Sequence, residues 1–324
     1  MIERDYEIKY KNASHFLGFI ALALVMLVFL GVVIEPRNYG DYHTSRNGSA
    51  YGIFDEPVNT VDVFYVGHSM VGQGISPMEI YKEKGITGYD LSQGSQKSWE
   101  SVLLLERALE KQYPQVVVFD VDQLFYLDFF TYLGDALTNY FPITEQHFAW
   151  KDALPGDVEQ RERNFTKGYQ YGDKITPFYG DGRYKDTPKT EYLRLYQRAQ
   201  IDKVVKMCDE KGIKLVLIEL PSMKRWDGKK YNAIKKYADK KGLDFIDFNR
   251  ILDELDFDWT TDSSDGKEHL NYTGTLKVSR YLANLLSETY KVTDRRGDER
   301  YAHWQEDLAK YESFLEAKNA AKNA

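Results

Sequence analysis

The chain holds a single cysteine, Cys208, in 324 residues. One thiol can form no internal disulfide and cannot build a cysteine-based zinc site. Cys208 closes the pattern Ile201-Asp-Lys-Val-Val-Lys-Met-Cys208, which reads as the buried stripe of a helix. A free cysteine packs there as a small hydrophobe. Positive charge is also scarce, with a formal net charge of -7. A general nucleic-acid binder needs a basic surface to meet phosphates, so that class is excluded, and a large polybasic membrane patch fits no better. There is no phosphate-cradling glycine loop, no HExxH pair and no histidine cluster at metal-ligand spacing, so the sequence calls for neither cofactor nor metal. Repeats and low-complexity runs are lacking too. The apolar share of 43% is that of a chain with a packed core rather than a disordered one.

What is present begins with one long apolar run. Phe16 to Ile34 carries no charge and is apolar on every face, unlike a core helix with one polar side. About 19 helical residues span roughly 28 Å, close to the hydrocarbon thickness of a bilayer. Glu35-Pro36-Arg37 follows it, where a cleaved signal would show a small-x-small site. The run is therefore expected to be an uncleaved transmembrane anchor over residues 15–34. Arg4, Lys9 and Lys11 precede it, which places the N-terminal tail, residues 1–14, in the cytoplasm and the rest outside the cell. Residues 35–60, rich in Gly, Asn, Asp, Tyr and Ser, read as a stalk.

From residue 61 the pattern becomes α/β. Val61 to Val66 is β-branched and aromatic and predicts a buried strand, followed by a Gly67-His68-Ser69 turn. Ser76-Pro77-Met78-Glu79 predicts a helix start with a capping box and proline at the first position, and Gly85 ends that helix. A short strand at Tyr89-Asp90-Leu91, a helix from Ser98 to Gln112 and a buried strand from Val116 to Val121 complete a β-α-β-α-β series. That order implies a parallel sheet with right-handed crossovers. Residues 122–190 are irregular and read as an insertion over the site. Helices over 191–211, 229–241 and 273–286, with strands over 214–220 and 244–248, carry the domain to about residue 290. A charged, helical tail over 291–324 follows.

Two places carry chemistry. In open α/β sheets active sites form at the carboxyl ends of the strands, and Ser69 stands just past the first. The second is Asp265-Gly-Lys-Glu-His269-Leu-Asn271, a histidine in a loop before a helix with acids a few residues upstream. A serine nucleophile needs a base to take its proton, and the base needs a partner to fix its tautomer.

Gly67-His68-Ser69 after the first strand, Gly94 after the second and Asp265…His269-Leu270-Asn271 before the last helix resemble the SGNH/GDSL hydrolase superfamily. The likeness is nearer to its membrane-anchored bacterial branch, which includes the teichoic-acid D-alanylation and alginate-type O-acetylation proteins. It runs over roughly residues 61–288. The resemblance implies a three-layer sandwich with a central parallel sheet, behind one N-terminal transmembrane helix. It implies Ser69 as nucleophile, His269 as general base, and the Ser69 and Gly94 amides as oxyanion donors. The family's acid stands three residues before the histidine, where this chain has Gly266. Asp265, four before, is the expected acid, with Asp262 and Glu268 as alternatives. The family's third-block asparagine has no match after Val121, although Asp122 and Gln123 stand nearby. His68, Gln96 and Trp99 are expected near the substrate, and Trp99, Lys224, Arg225 and Trp226 invite a sugar-binding reading, with ordinary surface and packing as the alternative.

The resemblance implies acyl transfer to a cell-envelope polysaccharide, most simply O-acetylation through a Ser69 acyl-enzyme. A membrane-bound partner protein would have to supply the acyl group, because acetyl-CoA is cytoplasmic. Water as acceptor would make the chain an esterase or deacetylase instead. A non-catalytic polysaccharide-binding scaffold is the third expectation.

Overall fold

A computed structural model describes residues 2–34, 48–126, 163–180 and 184–323. Helix α1, Ile2–Ile34, belongs to one compact unit, and all other described residues belong to a second. Within α1 the segment Asn12–Leu30 is long and apolar enough to cross a membrane, as the sequence led us to expect.

The second unit is built on five parallel strands: β1 Val63–His68, β2 Gly88–Gln93, β3 Val116–Asp120, β4 Lys214–Glu219 and β5 Asp244–Asp247. Their order across the sheet is β2-β1-β3-β4-β5. Val63 pairs with Gly88 on one side and with Val116 on the other. The chain thus winds one way from β1 to β2 and the other way from β3 onward. The crevice beside the carboxyl end of β1 is the switch point where such sheets place ligands.

Strand side chains alternate between the two faces. Phe64, Val66, Val117, Phe119, Leu215 and Leu217 join a core with helices α4 Ser98–Ala108, α5 Leu195–Lys211 and α6 Gly228–Lys241. Val63, Tyr65, Val116, Val118, Val216 and Ile218 face the other way into a core with α7 Tyr272–Glu288. Helix α3, Pro77–Lys84, gives Met78 and Tyr81 to the first core and Ile80 to the second. This is the expected three-layer sandwich. Ser76 caps α3 by accepting from the Glu79 amide, and Gly85 closes it in the left-handed region.

Three parts differ from expectation. β1 runs two residues further than the apolar run, because Gly67 and His68 still pair with Ser92 and Gln93. Residues 48–56, at the end of the expected stalk, bury Ala50, Ile53 and Glu56 in the second unit. The C-terminal helix α8, Ala302–Asn323, buries Trp304 and Tyr311 in the core beside α3, so this charged segment packs as part of the fold. Of the expected insertion, residues 127–162 and 181–183 lie outside the described residues. Its part 163–180 runs without regular helix or strand.

Candidate active site

Ser69 is the first residue of a six-residue helix, α2 Ser69–Gly74, that follows β1 directly. Gly67 makes this sharp turn possible. A Cβ there would lie 2.3 Å from Val71 and 2.9 Å from Asp120, so only glycine lets α2 fold back over the strand end. Serine 69 is half-buried with its hydroxyl at the carboxyl edge of the sheet.

His269 comes from the loop before α7. Its Nε2 lies 2.8 Å from Ser69 Oγ, although the two residues stand 200 positions apart. Its Nδ1 lies 2.8 Å from Asp265 Oδ2. The other Asp265 oxygen accepts from the amides of Lys267 and Glu268 at 2.8 and 2.9 Å and from the His269 amide at 3.2 Å. Burial alone would raise this carboxyl, but the hydrogen bonds from the His269 ring and these amides hold it below the usual carboxylate range. An ionised Asp265 can only accept, so its contact with Nδ1 favours the tautomer with the proton there and leaves Nε2 to accept from the serine.

The spacing of four follows from Gly266. Its φ of +68° lets the loop turn back so that Asp265 meets the ring. Neither alternative acid reaches it. Asp262 Oδ2 accepts from the Asp258 amide and from Lys277 Nζ, each at 2.8 Å. Glu268 pairs with Arg225 Nε at 2.7 Å.

An extended strap, residues 170–178, links the two loops. The Gln170 amide donates to Gly72 on the Ser69 helix, and those of Thr176 and Phe178 donate to Ser263 and Trp259 near the His269 loop. Thr176 Oγ1 donates to Ser264 O, and the Tyr272 amide returns a bond to Gly172.

The remaining expected residues are placed differently. His68 is buried and points inward. Its Nδ1 accepts from the Met70 amide at 3.3 Å, so it caps α2, and its Nε2 stands 3.5 Å from both Asp120 and Asp122. Burial disfavours the charged ring, but the Asp122 contact and the charges of Asp120 and Asp122 outweigh it and raise its pKa. Burial pushes Asp120 up to about 7. Glu219, at the end of β4, is raised well above the usual range by burial and by Asp122 and Asp120. Burial also opposes ionisation of Asp122, yet His68 and Lys230 hold its carboxyl below the usual value.

Gln96 also turns inward, donating to Leu91 O and Ser101 Oγ. Gln123 accepts from Ser101 and donates to Asp120 O, while Asp122 faces His68, so neither stands in for the third-block asparagine. Trp99 is buried, its indole N–H without a hydrogen-bond partner among the described residues. Gly94 is half-buried one residue beyond β2. Trp226 is fully buried and donates to Asp247 at 2.8 Å, which is the packing role rather than the sugar-binding one. No group of three or more metal-ligating side chains converges among the described residues. Sequence reasoning missed the acid row at the strand ends, Asp120 and Glu219, whose only signal was a carboxylate closing each apolar run.

No family model and no curated protein matches the chain. Among solved structures it is similar to a proposed acylhydrolase from Bacteroides fragilis at 12% identity and TM-score 0.39, covering 78% of this chain and 99% of the other. It is also similar to a GDSL-like lipase from Bacteroides thetaiotaomicron at 12% identity and TM-score 0.36, covering 71% of this chain and 87% of the other.

Proposed function

We propose that this chain is a membrane-anchored, SGNH-type serine acyltransferase that moves an acyl group, in the simplest case acetyl, onto a hydroxyl of an extracellular cell-envelope polysaccharide. The observation that carries the chemistry is the continuous Ser69–His269–Asp265 chain, with both links at 2.8 Å. In the first half-reaction Ser69 Oγ attacks the donor carbonyl as its proton passes to His269 Nε2. The Ser69 and Gly94 amides are the proposed donors to the developing oxyanion. Collapse of the tetrahedral intermediate breaks the bond to the leaving group, which takes the proton from His269, and leaves acyl-Ser69. In the second half an acceptor hydroxyl gives its proton to His269 as it attacks the ester, and collapse of the second tetrahedral intermediate expels Ser69 Oγ, which takes that proton back from His269. Asp265 stabilises the imidazolium in both halves.

The polysaccharide acceptor, the extracellular placement and a membrane-bound donor protein rest on the apolar helix, the basic residues before it and the family resemblance. Hydrolysis is the competing outcome, and the half-buried state of Ser69 and His269, which leaves water within reach, favours it.

The test uses the full chain in detergent micelles. It should turn over 4-nitrophenyl acetate, and Ser69→Ala and His269→Ala should each lower kcat by about 10³-fold or more with little change in melting temperature. Variants that match the wild type would sink the assignment. Mass spectrometry of acetyl-Ser69, chased with an oligosaccharide or with water, separates transferase from esterase.

A further inference from the structure

Arg225 is tied to both halves of the proposed machinery without belonging to either. Its Nε stands 2.7 Å from Glu268, the residue before the base. The face of its guanidinium lies 4.5 Å from the Tyr126 ring centroid. Tyr126 in turn packs edge-on against His68, the residue before the nucleophile, with 5.2 Å between ring centroids. Its charge is felt at both His68 and Asp122. Arg225 is therefore joined directly to the residue before the base and, through Tyr126, to the residue before the nucleophile.

Its backbone is fixed as well. The Arg225 amide donates to Ser222 Oγ at 3.2 Å, and its carbonyl accepts from Lys230 Nζ at 2.6 Å. One residue before Lys224, the Met223 amide donates to Lys267 O at 2.7 Å, joining this loop to the base loop. With the Nε edge on Glu268 and one face on Tyr126, the fork between Nη1 and Nη2 is what remains. It has no hydrogen-bond partner among the described residues, and the side chain is 38% exposed. A guanidinium ion-paired at Nε, stacked on one ring and open at its end matches the two oxygens of a carboxylate, and arginine is the side chain suited to that bidentate contact. Lys267, in the loop that the Met223 amide bonds, is exposed and adds positive charge.

We propose that Arg225 is a specificity-determining residue that recognises a carboxylate on the substrate, through its Nη1–Nη2 fork, beside the ester or hydroxyl that reacts at Ser69. This rests on the serine acyl-transfer reading for what the site does, but the binding it predicts can be measured without turnover.

The experiment uses the full chain in micelles with Ser69→Ala, so that no probe is consumed. Binding is followed by ligand-observed NMR for two matched pairs. Monomethyl succinate against dimethyl succinate sets the carboxylate on the acyl side, and acetoxyacetate against its methyl ester sets it on the alcohol side. In one pair the anion should bind about tenfold or more tightly than its ester. Adding Arg225→Gln should bring that ratio to within about twofold, and Arg225→Lys, which keeps the charge but not the fork, should fall between. If Arg225→Gln leaves Glu268 too exposed to its own burial cost to fold, Arg225→Gln with Glu268→Gln carries the same test. No discrimination in either pair, no binding of any probe, or discrimination that survives the glutamine substitution overturns the proposal. Loss of 4-nitrophenyl acetate turnover in the wild type would count against the acyl-transfer reading alone and leave the binding result standing.

Discussion

Two buried charge clusters in the second unit differ in how well their charges are matched. Beside β2, Lys167 is fully buried and reaches Glu56 at 2.6 Å and Asp307 at 2.7 Å, with the Trp304 ring 4.4 Å from its ammonium. Arg163 adds a contact to Asp307 at 3.3 Å. Those residues come from three distant stretches of chain, so the cluster pins residues 48–56, the 163–168 loop and α8 to one another. Beneath the proposed nucleophile, the acids of the second cluster outnumber the bases. Asp120 and Glu219 have no hydrogen bond to either carboxylate oxygen among the described residues. The first cluster satisfies its cation and holds the fold together. The second keeps poorly matched acids at the strand ends, an arrangement that costs stability beside the proposed nucleophile.

Variants in each cluster sharpen that contrast. The largest effect belongs to Lys167→Met, which strands two buried carboxylates and should cost about 3–5 kcal/mol in denaturant unfolding. Esterase turnover per folded molecule should stay unchanged, and a variant as stable as the wild type would show the first cluster to be dispensable.

The next effect concerns pH. Asp120 is raised to about 7, so the folded state holds a proton that the unfolded chain gives up near the ordinary carboxylate value. Folding stability from this group therefore falls as pH rises toward 7. The raised His68 adds in the same direction, because its contribution is full below the ordinary histidine value and is lost as pH climbs through the folded one. The melting temperature should be a few degrees lower at alkaline pH than at mildly acidic pH, by about 3–5 °C. Asp120→Asn should flatten that slope, and a slope left intact would mean other groups carry it. Asp265 works with the opposite sign, since its depressed pKa gives stability above the ordinary carboxylate value that is lost only in strong acid. The smallest effect is expected from Trp226→Phe. It removes one buried hydrogen bond to Asp247 and should cost about 1 kcal/mol in the same unfolding measurement, with turnover untouched.

Much of the fold was readable from apolar runs and caps. Strands β3 and β4 end within a residue of the runs that announced them, and Gly85, Gly212 and Gly242 close their helices in the left-handed conformation. Ser69 and His269 were readable as reactive types at the right ends of strand and helix. Their approach to 2.8 Å is a tertiary fact that no local pattern contains. Asp265 stayed one of three because the turn at Gly266 decides which acid meets the ring. Lys167 was not readable as buried, since a lysine in a polar stretch normally faces water. The buried Trp304 and Tyr311 were hidden by the charges around them in α8. His68 neighbours Ser69 in sequence, which left substrate contact and packing both open; a strand residue there alternates inward, where it meets the row of acids.

The strap over residues 170–178 gives the molecule a mechanical property. Its backbone bonds reach Gly72 at one end and Ser263 and Trp259 at the other, so it is a second tie between the Ser69 helix and the His269 loop, beside the Thr275 hydroxyl of α7 that donates to Gln73 O. The acid and base travel together within one short loop, and the serine travels with the sheet. Only the registry between those two bodies is left to be set, and the strap is one of the parts that sets it. A single nick in this stretch would leave sheet, cores and the Asp265–His269 contact in place. It would cut one of the ties between the loops that carry the Ser69 oxygen and the His269 nitrogen, which stand 2.8 Å apart.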